Sequence, residues 1–77
     1  MNSVFYTELG KELQSIRKSL GMSQQIVADR MKVTRSCVAN WEQGQRQINI
    51  DDIYKLCDIY NIDINELTKR VRKYLYK

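Results

Sequence analysis

Residues 23–44, SQQIVADRMKVTRSCVANWEQG, carry start and stop signals so closely spaced that the chain has little freedom there. Ser23 stands before Gln24 and Gln25, where a serine hydroxyl can accept from an orphan amide of a first helical turn. Val27, Ala28 and Met31 follow at spacings that share one helical face. Thr34 is a second cap, ahead of Val38 and Trp41, which lie three apart and again share a face. Gly44 is the stop, because glycine tolerates left-handed backbone at a helix end. Only Lys32 and Val33 lie between the two helices, so they must cross steeply. Ala28 is small where the two backbones would approach. The rest of the chain has to hold this pair in place.

At 77 residues the chain is expected to be one domain, 1–77, near the lower limit for a self-sufficient core. An all-α, five-helix bundle is the economical answer, with helices at about 4–20, 24–31, 34–42, 51–60 and 64–76. Phe5, Leu9, Leu13, Ile16 and Leu20 form the apolar stripe of the first helix, which Gly21 ends. Arg17 sits beside that stripe, and burial there would require an acid partner. After Gly44 a polar loop carries Arg46, and Ile48 and Ile50 pin it to the core. Asn49 or Asp51 caps the fourth helix, which turns Ile53, Leu56, Cys57 and Tyr60 inward and stops at Asn61. Asp63 and Glu66 form a capping box for the fifth helix. Its stripe is Ile64, Leu67, Val71, Tyr74 and Leu75, with Tyr76 as an extension.

Several classes fall away. The apolar runs are far shorter than the roughly 20 residues of a membrane span. The N-terminus lacks the basic and apolar segments of a signal peptide, so a cytoplasmic protein is expected. Cys37 and Cys57 stand apart with no CxxC, and the chain has no histidine, which argues against zinc or any other metal. Both read as reduced thiols. No Gly-rich phosphate loop and no nucleophile beside an evident base is present, so neither an enzyme nor a cofactor is expected.

The net charge of +4 is unevenly spread. Arg30, Lys32, Arg35 and Arg46 make the middle basic. Asp51, Asp52, Asp58, Asp63 and Glu66 make the next segment acidic. Lys69, Arg70, Arg72, Lys73 and Lys77 make the tail basic. Separated signs suit a molecule that turns one face to a polyanion. Arginine can donate twice to guanine, and asparagine can bind adenine in the same bidentate way. Arg35, Ser36 and Asn40 are expected to share the outward face opposite Val38 and Trp41.

Taken together, Leu13-x-x-Ile16-Arg17, Gly21-Met22-Ser23-Gln24, Ala28, Val38, Trp41-Glu42, Gly44, the run from Ile53 to Ile59, Ile62 and Glu66-Leu67 resemble the Xre/Cro/C1 helix-turn-helix family. That family includes phage repressors and restriction-modification controller proteins. The resemblance covers roughly residues 9–67 and implies a repressor-like bundle whose second motif helix enters the major groove of double-stranded DNA. It implies base reading by Arg35, Ser36 and Asn40. It implies backbone contacts from Gln24, Thr34, Gln43, Arg46 and Gln47, and a structural ion pair between Arg17 and Glu42. In relatives the position after Met31 is commonly glycine, because the backbone there is left-handed; here it is Lys32.

The expected function is a sequence-specific DNA-binding transcriptional regulator, a homodimer on a palindromic operator. The alternative is a protein-interaction module, an antitoxin or a repressor governed by a regulatory protein partner, docking through the acidic stretch 51–66. The basic C-terminal stripe reads in three ways. It is a solvated helix end covering helix 1, or a dimer contact through Val71, Tyr74, Leu75 and Tyr76, or an added contact to phosphate or a partner. Basic amphipathic helices can bind membranes, but this one is too short and too polar.

Overall fold

The structure, a computed structural model, describes residues 4–75, and among them are α1 (Val4–Ser19), α2 (Gln24–Met31), α3 (Arg35–Glu42), α4 (Ile50–Tyr60) and α5 (Ile64–Leu75). The caps set the starts. Ser23 Oγ accepts from Ile26 N at 3.1 Å, Thr34 Oγ1 from Cys37 N at 3.1 Å and Asn49 Oδ1 from Asp52 N at 2.8 Å. Asn49, not Asp51, is therefore the cap of α4, which begins one residue earlier than expected. Thr34 stands outside α3 as its cap. Asp63 Oδ2 accepts from Asn65 N at 3.0 Å, while Glu66 points along α5, its Oε2 3.7 Å from Arg70 Nε.

The first four helices end alike. Gly21, Lys32, Gly44 and Asn61 have φ of 71°, 60°, 73° and 53°, all left-handed. At each, that residue's amide and the next one turn back to the last helical carbonyls, as Gly21 N does to Lys18 O and Met22 N to Arg17 O. These paired bonds satisfy carbonyls that a helix end leaves orphaned. Glycine suits the position, asparagine tolerates it, and lysine meets a steric cost of about 1–2 kcal/mol.

The apolar faces meet in one core. Leu9, Leu13 and Ile16 of α1 meet Val27 and Ala28 of α2, Val38 and Trp41 of α3, Leu56 of α4 and Leu67 and Val71 of α5, all buried. Helix α1 packs on both α3 and α5, and α2 packs on α3 and α4. Cys57 and Tyr60 face inward as expected.

Three expectations fail. Leu20 lies past the end of α1 and is 48% exposed, because the backbone has already turned toward Gly21. Ile48 alone pins the loop before α4; Ile50, the first residue of that helix, is 61% exposed. Val71 is wholly enclosed under α1, so it is a core residue and has no surface to give a second chain. Tyr76 lies outside the described residues.

Candidate nucleic-acid interface

Helix α3 has two unlike sides. Cys37, Val38 and Trp41 are buried, whereas Arg35 and Ser36 at its capped front are exposed and Asn40 is half-buried. Thr34 is exposed beside them, and Gln43, Arg46 and Gln47 stand exposed at the end of α3 and in the loop that follows. Ser36 and Asn40, one turn apart, share a direction. Arg35 and Asn40 are separated by about 140° around the helix at 3.6 residues per turn, so the expectation of one common face is corrected. Arg35 leans toward the start of α2, where its Nη1 donates to Gln24 Oε1 at 3.2 Å.

That contact is the outer end of a hydrogen-bonded chain. Gln24 Nε2 donates to Glu42 Oε1 at 2.9 Å. Glu42 receives Arg17 Nε on Oε2 at 2.6 Å and Arg17 Nη2 on Oε1 at 3.1 Å, a two-pronged pair. Arg17 Nη1 donates to the Met22 carbonyl at 2.7 Å. Arg17 and Glu42 are only 7% and 5% exposed. The hydrogen bonds that Arg17 donates to Glu42 raise its pKa further above its ordinary range, against the opposing effect of burial. Tyr60 packs nearby; burial, then the charge of Glu42, pushes its phenol up, and Arg17 opposes this. One buried acid thus joins α1, the entry of α2 and the last residue of α3. Such a pair costs about 3–5 kcal/mol if one partner alone is removed, because the other is left charged and buried.

Gly10 has a part that the apolar pattern hides. A Cβ at Gly10 would collide with the backbone oxygen of Trp41 and lie 2.6 Å from that of Glu42. Helix α1 therefore presses its bare backbone on the end of α3, which sets how far α3 stands out. A helix-interior glycine costs about 1 kcal/mol relative to alanine, and that departure from good helix composition is the signal that could have marked the contact.

The other expected residues lie apart from this chain. Tyr74 is exposed on α5, where it lines a shallow groove with Val4, Glu8, Lys11 and Glu12, and Leu75 is half-buried. Among the described residues no cluster of acids, cysteines and histidines could hold a metal ion. No helix among them is long and apolar enough to cross a membrane.

A family model described as helix-turn-helix matches residues 13–67. The HTH-type transcriptional regulator ImmR of Bacillus subtilis (strain 168) is 29% identical over 59 residues, covering 77% of this chain and 46% of ImmR. The chain spans less than half the length of the curated relatives it matches. Among solved structures, the restriction-modification controller protein C.AhdI from Aeromonas hydrophila superposes with a TM-score of 0.75 at 32% identity, covering 80% of this chain and 94% of that one. The clp gene regulator ClgR from C. glutamicum superposes with a TM-score of 0.86 at 15% identity over 95% of this chain and 94% of that one, a likeness of fold alone.

Proposed function

This chain belongs to the Xre/Cro/C1-type helix-turn-helix family, and we propose that it is a sequence-specific DNA-binding transcriptional regulator that acts as a homodimer on a palindromic operator. The observation that carries this reading is the division of α3 into a buried apolar side and a capped, exposed front bearing Arg35 and Ser36. A helix held so can lay its front into the major groove. Arg35 then donates to a guanine, and Ser36 and Asn40 meet neighbouring base edges. Gln24, Thr34, Gln43, Arg46 and Gln47 contact the phosphates around them, which fixes register without reading sequence.

Dimerisation follows from energetics. One short helix offers few base contacts, and useful discrimination over non-specific DNA takes roughly 4–10 kcal/mol. Two chains related by a twofold axis double the contacts and read half-sites about 34 Å apart. Tyr74 and Leu75, at the end of α5, are the remaining candidates there for contact with the second chain. On this reading the protein works in the cytoplasm.

The direct test is a titration of the protein against pooled random duplexes at rising salt. Binding should fall steeply as salt rises, because each neutralised phosphate releases counterions. An absence of salt-sensitive binding would refute the reading.

A second reading, docking of a protein partner through residues 51–66, is favoured by one observation. Ile50 and Tyr54, one turn apart on α4, are both more than half exposed beside the acids Asp51 and Asp58. Binding of a partner that survives Arg35→Ala but is lost with Tyr54→Ala would support it.

A further inference from the structure

We propose that Glu42, beyond its place in the buried ion pair, is a positioning residue for base reading: it fixes the Gln24 amide so that the amide oxygen holds Arg35. The proposal rests on the reading of α3 as a recognition helix.

An amide has two unlike ends. The Glu42 carboxylate only accepts, so the end of Gln24 that meets it must be the NH2. The Arg35 guanidinium only donates, so the end that meets it must be the oxygen. Both neighbours demand the same orientation, so the hydrogen-bond network settles which end is which. Glu42 cannot turn to relieve this. Both of its oxygens are taken by Arg17, which is in turn tied to the Met22 carbonyl. A fixed orientation is thus passed from the interior to the exposed front of α3.

Arg35 spends one N–H on Gln24. The guanidinium keeps further donors in a rigid fork, enough for the two acceptors on a guanine edge. A free arginine would have to be ordered when DNA binds and could reach several bases; one already held has lost that choice. A neutral amide at position 42 would not do the same. It can present either end to Gln24, and a flipped Gln24 would turn its NH2 toward Arg35, donor against donor.

The test uses Glu42→Gln and, should that variant not fold, Arg17→Met combined with Glu42→Leu, which replaces the ion pair by apolar side chains. Nitrogen-detected NMR of the free protein should show the Arg35 guanidinium rotating slowly in the parent chain and freely in the variants. On DNA, preference at the base pair that Arg35→Ala affects should fall roughly tenfold in the variants. Affinity for an unrelated duplex should fall by less. If the ion pair had a structural role alone, the variants would shift the melting temperature and leave that preference intact. That result, or an Arg35 guanidinium as ordered in the variants as in the parent, overturns the proposal. A parent chain with no sequence preference would refute the recognition-helix reading itself, and the spectra would still decide whether Glu42 holds Arg35.

Discussion

Arg35 and Arg46 carry the same charge and are expected to do different work. Arg35→Ala should relax preference at one base pair and cost roughly 1–3 kcal/mol on the selected site. Arg46→Ala, if it touches phosphate alone, should weaken binding to every duplex and reduce the salt slope by about one. Competition titrations on matched and mismatched duplexes separate the two; equal losses on all sequences for both variants would refute the assignment of Arg35. Tyr60 gives a prediction in pH. Its phenol is pushed up in the folded chain, so the unfolded chain loses its proton first as pH rises. The associated stability is present below the ordinary tyrosine value of about 10 and is lost above it. The raised thiol of Cys57 acts in the same sense from a lower pH. Melting temperature should therefore fall on the alkaline side, and Tyr60→Phe should flatten the steepest part of that fall. An identical alkaline profile in the variant would contradict the shift.

Helix boundaries were largely legible in the sequence, because caps and left-handed stops act within a few residues. Ser23, Thr34, Gly21, Gly44 and Asn61 each do what their chemistry requires. Leu20 and Ile50 depart from expectation at helix boundaries: periodicity continues the stripe to Leu20, but α1 ends at Ser19, and Ile50 opens α4 instead of closing the loop. Lys32 tests the stops. Its left-handed backbone costs about 1–2 kcal/mol, whereas glycine there costs about 0.4–1 kcal/mol through the freer unfolded chain. Strain is the larger, so Lys32→Gly should stabilise by roughly 0.5–1 kcal/mol and raise the melting temperature by a few degrees. A lower melting temperature would contradict it. Gly10→Ala tests the seat of α3 on α1. Alanine's helix propensity favours the change by about 1 kcal/mol. The new Cβ would meet backbone that cannot swing aside, and overpacking of that kind costs about 1–3 kcal/mol or more. Denaturant unfolding should show a net loss, and a gain would show that the helices can part without cost.

The whole molecule serves to set α3 at a fixed height and angle. α1 supplies Arg17 and the bare turn at Gly10, α2 supplies Gln24, and the end of α3 supplies Glu42. The residues at the front of α3 could be named from the chain because they follow a cap. Arg17 and Glu42 were paired only through family resemblance, since they are 25 residues apart. The link from Glu42 through Gln24 to Arg35 is not legible in the sequence, because it joins the two ends of α3 through the start of α2, a relative placement that no local signal carries. Val71 reads from the sequence both as part of the apolar stripe and as a dimer contact, and only the position of α1 shows that it is enclosed. The most direct measurement is selection from a library of random duplexes, followed by the mass of the complex on the winning sequence. A palindrome with half-sites one helical turn apart, bound by two chains, is the expected result. No enrichment, or a selected site bound by one chain alone, would contradict a dimeric, sequence-reading regulator.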